Sequence, residues 1–129
     1  MTIHHVAIWT KNIERMSDFY ERYFNAIKGK KYENHYDRFS SYFLKFRDGS
    51  NLEIMQMDNI PDNKNDAAKQ YIGIIHIAIS VGTKENVDQK TNELKKDGYF
   101  IISEPKWTGD GYYESCIYDP DMNRIEITI

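Results

Sequence analysis

The sequence predicts an α+β protein built from two βαβββ units, and three observations lead there. A strand, helix, strand, strand, strand order is read twice along the 129 residues. His5-Val6-Ala7-Ile8 returns as His76-Ile77-Ala78-Ile79, and Asp48-Gly49-Ser50-Asn51-Leu52-Glu53-Ile54 returns as Asp121-Met122-Asn123-Arg124-Ile125-Glu126-Ile127. A four-stranded sheet with one helix covers only one of its faces, so two such units are expected to pair. The length suits one domain, 1–129, with module one at 1–58, a linker at 58–70 and module two at 71–129.

Module one opens with a strand at Ile3–Trp9. A helix from about Ile13 to Asn25 follows, capped by Asn12, with Ile13, Met16, Phe19, Tyr20, Tyr23 and Phe24 forming one apolar face. Three strands come next, at about Lys28–Tyr36, Phe39–Phe46 and Asn51–Met57, with turns at Asp37-Arg38 and Asp48-Gly49-Ser50. The polar stretch from Asp58 to Gln70 contains Pro61 and reads as the linker.

Module two repeats the order. A strand covers Gly73–Val81, Thr83 caps a polar helix anchored by Val87 and Leu94, and Gly98 stops it. Strands at about Tyr99–Ser103, Tyr112–Tyr118 and Arg124–Ile129 complete the unit. The stretch Lys106-Trp107-Thr108-Gly109-Asp110-Gly111-Tyr112-Tyr113 reads as a loop, either closing over a substrate or serving as a plain surface hairpin.

Composition excludes several classes. With 40% hydrophobic and 29% charged residues the chain is globular rather than disordered. Its apolar runs are too short to cross a bilayer, and the N-terminus lacks a secretory pattern. The formal charge is −3 and the basic residues are scattered, so neither nucleic acid nor an anionic membrane is an expected partner. Cys116 is the single cysteine and has no partner for an intramolecular disulfide, which favours a reducing cytoplasm.

Strand alternation places the chemistry. His5, Ala7 and Trp9 share one face while Val6 and Ile8 share the other; His76, Ala78 and Ser80 likewise oppose the neighbouring isoleucines. Glu53 lies between Leu52 and Ile54, and Glu126 between Ile125 and Ile127. The aliphatic residues are expected to face the helices, leaving His5, Glu53, His76 and Glu126 on the opposite side as metal-ligand candidates. The His-to-Glu separations are 48 and 50 residues (53 − 5 and 126 − 76). Two imidazoles and two carboxylates suit Ni²⁺, Co²⁺, Zn²⁺, Fe²⁺ or Mn²⁺. Of the other histidines, His4 is expected to point away from His5 in a structural role, and His35 to lie exposed in a polar strand or turn.

These motifs resemble the vicinal oxygen chelate superfamily, which includes glyoxalase I, bleomycin-resistance proteins, fosfomycin-resistance enzymes, methylmalonyl-CoA epimerase and extradiol dioxygenases. The resemblance rests on the two His-(Val/Ile)-Ala-Ile openings, Asp18-Phe19-Tyr20 on the first helix, and Asp119-Pro120-Asp121 before Ile125-Glu126. It implies a glyoxalase-like fold, in which the modules form a cupped eight-stranded mixed sheet around a metal. The set His5, Glu53, His76, Glu126 is similar to that of bacterial glyoxalase I. Two departures count against glutathione as the thiol carrier. Where the glutathione-dependent enzymes have Arg and Asn, four residues after the first His and the first Glu, this chain has Trp9 and Met57. The Asp-Pro-Asp turn also continues as Met122-Asn123 where relatives mostly have Gly, and Asn is a residue that tolerates the left-handed backbone.

By this resemblance the expected activity is that of a metal-dependent lyase or isomerase. Adjacent substrate oxygens chelate the metal while Glu126 or Glu53 shuttles a proton through an enediolate. Trp9, Met55 and Met57 are candidate apolar walls for the substrate. The alternatives are an Fe²⁺-dependent extradiol-type dioxygenase and a non-catalytic small-molecule binder of the resistance type. A homodimer is expected, with the modules paired within one chain or exchanged between two.

Overall fold

The computed structural model describes residues 1–64, 66 and 68–129; residues 65 and 67 of the linker lie outside the described residues. The chain divides into two compact units, Met1–Asp62 and Asn63–Ile129. Each is a sheet with one helix.

In the first unit, β1 (His5–Trp9) leads to α1 (Ile13–Phe24) and then to β2 (Ile27–Lys28), β3 (Tyr32–Asn34), β4 (Phe39–Lys45) and β5 (Asn51–Gln56). The sheet order is β1-β5-β4-β2, with β3 also paired to β4. The helix starts where expected, because the Asn12 side chain accepts the Arg15 N–H at 3.0 Å. It ends at Asn25, whose left-handed backbone (φ 53°) lets Ala26 N–H reach the Tyr20 carbonyl at 3.2 Å. α1 buries seven of its twelve residues, among them Met16, Phe19, Tyr20 and Tyr23. Each such side chain contributes about 1.5–3 kcal/mol by leaving water. Leu44, Leu52 and Ile54 meet them from the sheet and are almost fully buried.

The single strand expected at Lys28–Tyr36 is two short ones. Gly29 donates its N–H to the Phe43 carbonyl at 2.9 Å, and a Cβ at Gly29 would stand 3.1 Å from that same oxygen. The chain leaves the β4 ladder after that bond and rejoins it at Tyr32, opposite Ser41. Hydrophobic alternation continues through such a break and so does not reveal it.

In the second unit, β6 (Ile77–Ser80) leads to α2 (Lys84–Lys96), β7 (Ile101–Trp107), β8 (Tyr113–Tyr118) and β9 (Arg124–Thr128), in sheet order β6-β9-β8-β7. Thr83 caps α2 by accepting the Asn86 N–H at 3.2 Å, and Gly98 ends it at φ 89°. Only Val87, Thr91 and Leu94 of α2 are buried. Thr91 donates to the Val87 carbonyl at 2.7 Å and shares a 2.6 Å hydrogen bond with Ser115 on β8.

Three expectations change here. β6 begins at Ile77 rather than Gly73, because the register Ile77↔Ile125 sets residues 73–75 against the turn before β9, where no ladder partner exists. Lys106 and Trp107 belong to β7, with Trp107 edge-on to Tyr113 at 5.2 Å, so the loop shrinks to residues 108–112. In the Asp119 turn, Met122 rather than Asn123 takes the left-handed backbone (φ 65°). Asn123 instead donates its side-chain and backbone N–H groups to the Asp119 carboxylate, both at 2.9 Å.

Candidate metal centre

The two halves hold their His and Glu by the same register. β1 and β5 run parallel with Ala7 opposite Glu53, and β6 and β9 run parallel with Ala78 opposite Glu126. Val6, Ile8, Leu52 and Ile54 turn toward α1, and Ile77, Ile79, Ile125 and Ile127 toward α2. His5 and His76, two residues before each Ala, therefore share the open face with the Glu of their own unit. His5 Nε2 stands 3.6 Å from Glu53 Oε2, and His76 Nδ1 stands 3.1 Å from Glu126 Oε1. The glutamates are largely covered (15% and 20% exposed) while the imidazoles are open (38% and 39%).

Two donors bound side by side to one ion at about 2.1 Å stand about 3 Å apart. Both pairs fit that spacing within a small side-chain movement, and their donor chemistry suits a borderline divalent ion. Each His is thus brought to its own Glu. Among the described residues no trio of His, Cys, Asp or Glu is gathered for a metal, so each unit presents a pair.

The surroundings of the pairs differ. Burial raises the Glu126 carboxyl above the ordinary glutamate value; His76 opposes the shift, while Glu114 and Asp110 add to it. Cys116 lies directly opposite Glu126, and burial first, then the Glu126 charge, pushes its thiol up to about 11. Arg124, two residues before Glu126, is 7% exposed and donates to the backbone carbonyls of Asp66 and Lys69. In the first unit Phe43 occupies the place of Cys116, opposite Glu53, and its ring lies edge-on to His5 at 5.2 Å.

His4 is a correction. Its ring turns to its neighbour, with His4 Nδ1 and His5 Nδ1 2.8 Å apart. Strand alternation does not govern it, because the ladder begins at His5. The doubled histidine at a strand entrance was the available signal. His35 lies in a turn and is exposed, as expected.

Trp9 stands opposite Met55 in the β1–β5 ladder, on the open face, and packs edge-on to Phe39 at 6.1 Å. Met57 lies just past the end of β5 and is half-buried. The matching ladder position in the second unit pairs Ser80 with Thr128, whose hydroxyl is buried without a hydrogen-bond partner among the described residues.

A model of the Glyoxalase/Bleomycin resistance protein/Dioxygenase superfamily matches residues 2–127. The uncharacterized protein YqjT of Bacillus subtilis (strain 168) is 26% identical over 128 residues, 97% of this chain and 96% of that protein. Glyoxalase I from Zea mays, as its V278E mutant, superposes with a TM-score of 0.79 at 19% identity. The match covers 98% of this chain and 44% of the maize chain, so this protein spans less than half the length of that relative. A glyoxylase/bleomycin resistance protein/dioxygenase domain from Frankia sp. EAN1pec superposes with a TM-score of 0.82 at 15% identity, covering 100% and 97% of the two chains. No helix among the described residues is long and apolar enough to cross a membrane. With a strand, a helix and a run of strands in each of two units, and a family match over nearly its whole length, the chain belongs to the Glyoxalase/Bleomycin resistance protein/Dioxygenase superfamily.

Proposed function

We propose that the protein is a metal-dependent lyase or isomerase of the glyoxalase I type, acting on a small α-hydroxycarbonyl compound or thiol adduct. The observation that carries this reading is the repeated pair, His5 with Glu53 and His76 with Glu126, at one register on the open face of each sheet. In this reading the four residues form one centre for Ni²⁺, Co²⁺, Zn²⁺, Fe²⁺ or Mn²⁺. Such an ion, when bound, supplies Lewis acidity to two adjacent substrate oxygens.

The chain's own residues do the rest. Glu126 or Glu53 takes the proton from the carbon beside the carbonyl and returns it to the neighbouring carbon, so the reaction is a net isomerisation with no outside oxidant. Trp9, Met55 and Met57 line the apolar part of the substrate, and no cation replaces the family's glutathione-binding Arg at Trp9. A thiol carrier other than glutathione fits that exchange. The same reading expects a cytoplasmic homodimer, with modules paired within a chain or exchanged between chains.

The test is Glu126→Gln beside Glu53→Gln, with metal content by elemental analysis and turnover of methylglyoxal premixed with glutathione or other low-molecular-weight thiols. Loss of the base lowers kcat by about 10²–10⁴-fold with metal retained. Full activity in both variants, iron with catechol cleavage, or no uptake of Ni²⁺ or Zn²⁺ by the unaltered protein each overturns the reading.

A further inference from the structure

We infer that His4 is a positioning residue that holds His5 in the tautomer needed to ligate metal through Nε2; this rests on the reading of His5 as a ligand. A 2.8 Å contact between two imidazole nitrogens is a hydrogen bond with one proton, so one ring donates and the other accepts. His5 points Nε2 at the Glu53 carboxylate, 3.6 Å away, a separation too long for a direct hydrogen bond and suited to two donors of one ion. A ligating Nε2 must offer its lone pair. The ring proton of His5 then sits on Nδ1 and is donated to His4 Nδ1.

His4 therefore takes the place usually filled by a carboxylate or backbone carbonyl behind a metal-bound histidine. Phe43, edge-on to His5 at 5.2 Å and to His4 at 6.4 Å, limits the rotation that would break the alignment. Among the described residues His76 has nothing equivalent. Ile75 precedes it, Cys116 stands where Phe43 does, and it turns Nδ1 rather than Nε2 to its glutamate. The two ligand histidines thus differ in what orients them, and among the described residues only His5 has its outer nitrogen engaged by a side chain built to accept.

The experiment compares Zn²⁺ affinity of the full chain with that of His4→Phe, which keeps ring volume without an acceptor. His4→Asn is the rescue, since its Oδ1 lies where Nδ1 does. Loss of an outer partner weakens metal binding by about 10–100-fold, and His4→Asn is expected to recover most of it. His4 is exposed and precedes the first ladder pair, so thermal unfolding of the metal-free variants should match the parent. A second readout is specific to the hydrogen bond. In ¹⁵N-histidine protein loaded with Zn²⁺, a scalar coupling links the two Nδ1 nuclei and the shared proton resolves on His5. If His4→Phe binds Zn²⁺ as tightly as the parent, or the proton resides on His4, the inference is wrong while the ligand reading stands. If the parent takes up no Zn²⁺, or binds it unchanged after His5→Ala, the ligand reading fails first.

Discussion

The two modules share a frame and fill it differently. Both place an Ala opposite a Glu across a parallel ladder, cap their helix with a side-chain oxygen, and set a His two residues before the Ala. Module one then packs with rings: Phe19 lies within 5.1–5.8 Å of Tyr20, Tyr23 and Phe24, and α1 buries more than half of its residues. Module two packs mainly with aliphatic side chains, Val87, Leu94, Ile117, Ile125 and Ile127, together with a hydroxyl pair, Thr91 with Ser115. The open faces diverge in the same direction. Trp9 and Met55 give module one an apolar wall, whereas Ser80 and Thr128 give module two a polar one. The difference teaches that the repeated ladder register is enough to present the His–Glu pairs, and that core chemistry is free to vary behind it.

Three tests sharpen or break this comparison, in falling order of expected effect. Tyr20→Ala removes a fully buried ring from the aromatic core and should destabilise by about 3–5 kcal/mol, as large aromatic truncations do. The urea midpoint reports it, and a smaller loss than that from Leu94→Ala in α2 would mean module one is not the better packed. Thr91→Val strands the Ser115 hydroxyl in a buried site and should cost about 1–3 kcal/mol. An unchanged melting temperature would show that this hydroxyl pair does not stabilise module two.

The third compares the turns that precede β5 and β9. Gly49 (φ 88°) and Met122 (φ 65°) occupy the same place in the repeat, and both are left-handed. A side chain there costs about 1–2 kcal/mol. Gly49→Met should therefore destabilise by about that amount. Met122→Gly should stabilise by up to about 1 kcal/mol, since glycine's larger unfolded-state freedom offsets part of the gain. Stability falling in Met122→Gly would mean the Met122 side chain contributes more than its backbone costs.

What was legible in the sequence follows from periodicity. Val6/Ile8 and Leu52/Ile54 are aliphatic at period two, so the face they turn inward, and hence the face of His5 and Glu53, could be read directly. The caps at Asn12 and Thr83 were legible because a short polar side chain precedes an apolar face at helical spacing. The rest depends on tertiary partners. β2 and β3 separate because the chain carries one extra residue against β4 between Lys28 and Tyr32, β6 is short because its partner strand starts late, and Met122 is left-handed because Asp119 collects the N–H groups around it. His4 escapes strand alternation for a related reason: it lies one residue outside the ladder.

The shared Ala–Glu register also separates the ligand pairs from insertions and deletions. The His-to-Glu separations differ by two residues, yet Ala7↔Glu53 and Ala78↔Glu126 are the same pairing. Length has therefore changed between the strands without moving what they present. One residue added inside β1 or β5 would instead swap the two faces, turning carboxylate or imidazole toward the helix and aliphatic side chains to the open side. The segments between these strands absorb a two-residue difference, while the ladders behave as a reading frame in which single-residue shifts are not tolerated.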